Sequence, residues 1–212
     1  MKKIFITTLL GILANAGFSQ TKMKDLVKEG TRFTYSFQFH DQTGEFTYQV
    51  RKMSPDLVVN YSFKEMNKEY TIPWNSFTNS DSVWFMPGGE TDIVPGSAIF
   101  LFLSKQLYAG LLNKGKTPVP VNILLGDSES LGIMNFTPES SSNGNIDIMV
   151  NGKLTSFSRC HRMEAETSNS NDYLSILEFI EDADFPLIYS IEYSPAHMAE
   201  FAPKWKLIAI DN

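Results

Sequence analysis

Between residues 32 and 63 the chain alternates apolar and polar residues with a period of two, and this pattern constrains the fold more than any other feature. Phe33, Tyr35, Phe37 and Phe39 alternate with Thr34, Ser36 and Gln38. Successive side chains of a strand point to opposite faces, so this is a strand with one buried and one wet face. Asp41-Gln42-Thr43-Gly44 reads as a turn, after which Phe46, Tyr48 and Val50 resume the alternation. Ser54-Pro55-Asp56 makes a second turn before Leu57, Val59, Tyr61 and Phe63. The pattern predicts a meander of three antiparallel strands.

The same logic extends along the chain. Residues 66–96 are less regular, with short strand candidates at Tyr70–Trp74 and Ser82–Met86 and a Pro87-Gly88-Gly89 loop. The run from Ala98 to Leu112 is mostly large and apolar. With Ser97 as cap and Gly115 as stop it predicts one long helix over about 97–114, its wet edge at Ser104, Lys105 and Gln106. Further strands follow at 119–125, 131–136, 146–150, 153–166, 173–180, 187–193 and 204–210. Asn151-Gly152 is the strongest hairpin signal among them. A single antiparallel sheet of about ten to twelve strands must curl, split or close. The expected architecture is mainly β (α+β): one curved sheet or half-barrel packed around the long apolar helix, as a single domain over 20–212.

The first residues read as an export signal, 1–19. Lys2 and Lys3 precede an apolar stretch too short to span a bilayer, and small residues follow at Ala14, Ala16, Gly17 and Ser19. Cleavage after Ser19 leaves Gln20 first, an ending that resembles secretory signals of Bacteroidetes-type bacteria; cleavage after Ala16 is also acceptable. Loss of Lys2 and Lys3 takes the net charge from −6 to −8. With no cysteine at the cleavage region to carry a lipid, the expected location is the periplasm or the exterior, with no membrane span after signal removal. The acidic balance argues against a nucleic-acid partner. Cys160 is the single cysteine, which excludes an internal disulfide framework.

Catalytic signatures are sparse. No nucleophile elbow, zinc-protease, P-loop or dinucleotide fingerprint occurs, and nothing asks for a cofactor or metal. His40, His161 and His197 are scattered. His161 follows Cys160, and neighbours on a strand face opposite ways. Glu164 and Glu166 share one face of a strand. Glu178 sits between apolar residues, and Glu181-Asp182-Ala183-Asp184 lies at a turn. The richer signal is aromatic. Trp74, Phe77, Trp84 and Phe85 cluster just before the predicted helix, and Phe100 and Tyr108 lie on it. These six are the candidates for an apolar ligand pocket between sheet and helix; plain core is the competing reading of the same residues. Asp81-Ser82-Val83 resembles a short acceptor motif for O-linked glycans, which requires Ser82 to be exposed.

Val150-Asn151-Gly152-Lys153, Leu174 to Phe179, Phe185-Pro186-Leu187-Ile188 and the closing Trp205 to Ile210 occur in an order that resembles exported bacterial β-rich proteins known as domain-of-unknown-function family 3108. The plan of a curved sheet holding a helix is similar to that of LolA-like lipoprotein carriers. The resemblance implies a β-rich exported fold and no catalytic residues. The expected function is non-enzymatic binding of an apolar or lipid-like, amphipathic small molecule. The alternatives are a structural or partner-binding envelope module, using the polar rows Thr34/Ser36/Gln38 and Thr47/Gln49/Arg51, and a hydrolase using Glu164, Glu166 or Glu178.

Overall fold

The structure, a computed structural model, describes residues 21–39, 41–84, 98–112, 117–125, 128–138, 144–167, 173–195 and 204–212. Among the described residues thirteen strands form one sheet. They are β1 (Arg32–Phe39), β2 (Gln42–Lys52), β3 (Leu57–Phe63), β4 (Met66–Ile72), β5 (Ser82–Trp84), β6 (Ala98–Ile99), β7 (Thr117–Leu125), β8 (Ser128–Pro138), β9 (Gly144–Val150), β10 (Lys153–Thr167), β11 (Tyr173–Ile180), β12 (Ile188–Pro195) and β13 (Lys204–Asp211). The described helices are α1 (Met23–Leu26), α2 (Ser76–Asn79) and α3 (Lys105–Leu112). The mainly β expectation holds, and none of these helices is long and apolar enough to cross a membrane.

The sheet order is β4-β3-β2-β1-β13-β12-β11-β10-β8-β7-β5-β6. Most pairs are antiparallel, but β5 runs parallel to both β6 and β7. The predicted meander is β1 to β3, extended by β4. Its alternation is that of the sequence: Phe33, Tyr35, Phe46, Tyr48, Val50, Leu57, Val59 and Tyr61 are all buried. The rings interlock across strands. Tyr35 stacks on Phe46 at 5.3 Å, and Tyr48 meets Tyr61 at 5.4 Å. Such pairs add about 0.5–1.5 kcal/mol each beyond their burial.

The first turn is tighter than predicted. β2 already begins at Gln42, so Gly44 is a strand residue paired with Phe37. Its role is space: a Cβ there would stand 2.6 Å from the Phe37 ring, which lies across the glycine. The Asn151-Gly152 turn behaves as predicted. Both residues have positive φ, 48° and 74°, as a two-residue hairpin of this twist demands. The turn is also tied to the end of the chain. Asn151 N–H donates to the Ile210 carbonyl, and Asn151 Oδ1 accepts from Asn212 N–H.

Strand β13 organises the sheet. One edge pairs with β1 along its length. The opposite edge is shared: Lys204–Lys206 pair with β12, and Ala209–Ile210 pair in parallel with β9. Since β9 also pairs with β10, the path β13–β12–β11–β10–β9–β13 closes on itself. Where β13 leaves β12, residues 101–103 take its place. Leu103 N–H donates to Pro186 O, Ile188 N–H donates to Leu101 O, and Phe102 bridges Leu187.

That pairing corrects the long helix predicted over 97–114. The described helix is α3 alone, eight residues long. An apolar run buried on every side is compatible with either strand or helix, because periodicity carries no information when no face is wet. Here backbone pairing with the start of β12 takes residues 101–103 out of the helix, and Leu101 turns the chain with φ 68°. The cap is Ser104, not Ser97: Leu107 N–H donates to Ser104 Oγ at 3.0 Å. Ser104 is therefore buried rather than part of a wet edge, while Lys105 and Gln106 are exposed. Phe100, Phe102, Leu103, Leu107 and Leu111 fill the core.

The start of the described chain is docked on the turn before β12. Asp182 Oδ2 accepts from Met23 N–H at 3.0 Å, and its Oδ1 accepts from Asp184 and Phe185 N–H at 2.9 and 3.1 Å. Met23, Leu26 and Val27 are buried behind this contact. Asp182→Ala leaves three backbone donors without their acceptor and is expected to cost about 1–3 kcal/mol. Hydrogen exchange at residues 23–27 should accelerate with it; an unchanged denaturation midpoint and exchange pattern would show that the docking carries no stability.

Candidate functional site

A cleft of about 400 Å³ opens on β11, β12 and β13. Register builds it. Glu178, Ser190 and Lys206 pair across the three strands as one row, and Ile176, Glu192 and Lys204 form the next. Residues directly opposite in an antiparallel pair share a face, as do residues two apart on one strand, so all six lie on one face. The intervening row, Leu177, Ile191 and Trp205, is buried. A bulge between Glu178 and Phe179 places the extra residue Tyr189 beside the first row. Ile146 of β9, Ile191 and Trp205 complete the lining.

The charges are balanced, with two carboxylates on β11 and β12 facing two ammonium groups on β13. Ser190 Oγ donates a short hydrogen bond to Glu178 Oε2. Lys204 Nζ lies 2.6 Å from Glu192 Oε1, with both side chains partly in solvent. An exposed pair of this kind contributes only about 0–1 kcal/mol, so either partner can be given up to a ligand. Lys206 Nζ lies 5.5 Å from the Tyr189 ring centre. Its pKa is raised above the ordinary lysine value, chiefly by the hydrogen bond to the Tyr189 side chain, while burial works against the shift and the Glu178 charge adds to it. Lys206 is thus held as a cation, the wrong protonation state for a general base beside Ser190. Charge recognition is the chemistry this arrangement can perform.

The residues singled out in the sequence lie elsewhere, apart from Glu178. Trp74 and Phe77 are brought together at 5.0 Å and join Phe185, and Phe77 also packs on Phe102. Phe77 is buried, while Trp74 is 44% exposed at the edge of this group. Phe100 packs on Tyr48 and Tyr70, and Tyr108 meets Phe179 at 5.9 Å. Apart from the exposed Trp74, these rings belong to or pack against one continuous hydrophobic core. Trp84 ends β5, and its side chain is not described; Phe85, His40 and His197 lie outside the described residues. On β10, Cys160 and His161 pair with Ile180 and Phe179, and Glu164 and Glu166 with Ile176 and Leu174. Ser82 is buried on β5 and pairs with Ala98, so it does not stand exposed as a glycan acceptor must. No group of three or more metal-ligating side chains occurs among the described residues.

Sequence reasoning passed over Tyr189, Ser190, Glu192, Lys204 and Lys206. A partial signal was there: the lysines fall at alternate positions of one strand, 204 and 206, and each of the two strands before it carries one acid. No family model matches the chain, and no curated protein or solved structure is significantly similar to it.

Proposed function

We propose that this chain is an exported, non-enzymatic binding protein that holds an amphipathic small molecule in the cleft on β11, β12 and β13. The observation that carries the reading is the joining, in one cleft, of apolar side chains (Ile146, Ile176) with two carboxylates and two ammonium groups. Its volume lies within the range of about 300–1,000 Å³ common for small-molecule sites. Export rests on the leader pattern of residues 1–19, and the likeness to family 3108 and LolA-like proteins belongs to the same proposal. This reading moves the ligand from the predicted space between sheet and helix, where Phe77, Phe100 and Phe102 are buried against other rings.

The test is calorimetric titration of the protein with single-chain amphiphiles below their micelle concentration. Saturable one-to-one binding is expected, weakened about tenfold or more by Ile176→Glu, which sets a charge against the alkyl chain. Ile176 is only half-buried, so the variant should fold, and Ile176→Trp offers a second variant that narrows the cleft instead. Failure of every amphiphile to bind would remove the reading.

A partner-binding role is favoured by one separate observation. Leu154 and Met149 pair across the β9–β10 hairpin, and both are exposed, Leu154 at 69%. The polar rows first considered for that role, on β1 and β2, are half-buried to exposed.

A further inference from the structure

We infer that the cleft selects a zwitterionic head group, an anion and a primary ammonium held a few ångströms apart at the end of an apolar chain. This deepens the binding reading above and rests on it.

The two walls carry opposite charge. Lys204 and Lys206 are two residues apart on β13, so their stems rise from the same face about 7 Å apart and form a cationic strip. Glu178 stands on β11, across β12 from Lys206, and Glu192 of β12 lies between them in the next row, paired with Lys204. Between Glu178 and Lys206 the row holds only Ser190, whose small side chain leaves the middle of the row open. A larger residue there would fill the cleft. The serine hydroxyl is also turned toward the acid: it donates to Glu178 and fixes where that carboxylate sits. On the other side the Lys206 ammonium lies over the Tyr189 ring, 5.5 Å from its centre, which holds the cation in place. The row therefore presents a positioned anion and a positioned cation across a gap.

A ligand bearing one sign of charge satisfies one wall and repels the other. A neutral head displaces water from four charged groups and returns less to each. A head with both signs matches both walls, with its phosphate or carboxylate toward the lysines and its ammonium toward the glutamates. Charge-assisted hydrogen bonds are stronger than neutral ones, which is the basis of the selectivity. The apolar chain would then run against Ile176 and Ile146.

The test uses the protein and four amphiphiles sharing a twelve-carbon chain: a lysophosphatidylethanolamine, a lysophosphatidic acid, an alkylamine and an alkyl maltoside. The zwitterion is expected to bind about tenfold tighter than each of the others, the effect of one charge-assisted contact. Lys206→Met should weaken the zwitterion and the phosphate-headed ligand and leave the alkylamine unchanged. Glu178→Gln should weaken the zwitterion and the alkylamine and leave the phosphate-headed ligand unchanged. Both positions are on the charged face, and melting curves of the variants confirm that each remains folded. If the maltoside binds within about threefold of the zwitterion, the head-group inference falls while amphiphile binding stands. If none of the four binds, the underlying reading falls and takes this one with it. O-phosphorylethanolamine alone separates the two sources of such a head. Binding as tight as that of the amphiphile would assign the cleft to a soluble zwitterion and overturn the amphiphile reading, and weak or absent binding supports the chain-bearing ligand.

Discussion

Phe102→Ala is expected to destabilise the protein by about 3–5 kcal/mol, the range for deleting a buried phenyl ring from a core that cannot collapse around the hole. Phe102 is completely buried. Its ring meets Phe33 of β1 at 6.0 Å, Phe77 of α2 at 5.7 Å and Phe185 of the turn before β12 at 5.8 Å. Those three partners are held by strands and turns that are themselves paired, so little can move inward. The backbone of Phe102 also bridges Leu187, which fixes the segment from which the ring projects. Phe102→Leu keeps most of the volume and should cost less than about 1.5 kcal/mol. Urea unfolding of the two variants checks this. A loss below about 1 kcal/mol for Phe102→Ala would mean that residues 98–104 are packing decoration rather than part of the cooperative core.

The second large effect is alkaline unfolding. Tyr35 and Tyr48 are buried, and burial pushes both hydroxyls well above their ordinary pKa of 10.0; the neighbouring Tyr61, Tyr35 and Tyr70 add to the shift at Tyr48. The folded state keeps these protons at a pH where the unfolded chain releases them. Stability is therefore unaffected by these groups below about pH 10 and falls as pH rises above it, by about 1.4 kcal/mol per pH unit for each tyrosine and about 2.7 for the pair. The Lys206 shift has the same sign, since an amine whose pKa is raised by folding loses that stabilisation as pH climbs past its unfolded value. Urea unfolding at about pH 9, 10 and 11 should show a flat region and then a steep decline. Tyr48→Phe should remove the share of one tyrosine, about 1.4 kcal/mol per pH unit. Tyr35→Phe makes a less clean control, because its hydroxyl donates to the Ile188 carbonyl at 2.7 Å and the substitution strands that acceptor. A stability that stays level from pH 10 to 11 would refute the assignment.

The strands were legible wherever one face is wet. From Phe33 to Phe63 the strand residues alternate apolar and polar, Val58 excepted, and the burial observed repeats that rhythm. Asn151-Gly152 was legible because only one turn geometry suits that dipeptide between strands. The helix failed for the opposite reason. Residues 98–103 are buried throughout, so no polar position marks a period, and their conformation is decided by whether a neighbouring strand offers backbone partners. That partner, 186–188, lies far away in sequence. The cleft was half legible. The lysines of β13 are visible as alternation, but their convergence with the acids of β11 and β12 depends on register and on the bulge at Tyr189, neither of which carries a sequence mark. Aromatic clustering pointed instead to Trp74 and Phe77, which the structure uses largely as core.

The position of β13 bears on how the molecule is made. The β1–β13 pair joins the first described strand to the last, and Thr31 reaches Asn212 across 181 residues. Closing so long a loop is an entropic cost that no local contact offsets, so folding is expected to be slow for a protein of this size. It also cannot finish early. Until residues 204–212 are in place, β1 lacks its second neighbour, β9 lacks its parallel partner and the Asn151 turn lacks its anchor. A chain with this wiring keeps β1 and β9 without their common neighbour until β13 is laid between them, so one strand decides when the whole sheet closes.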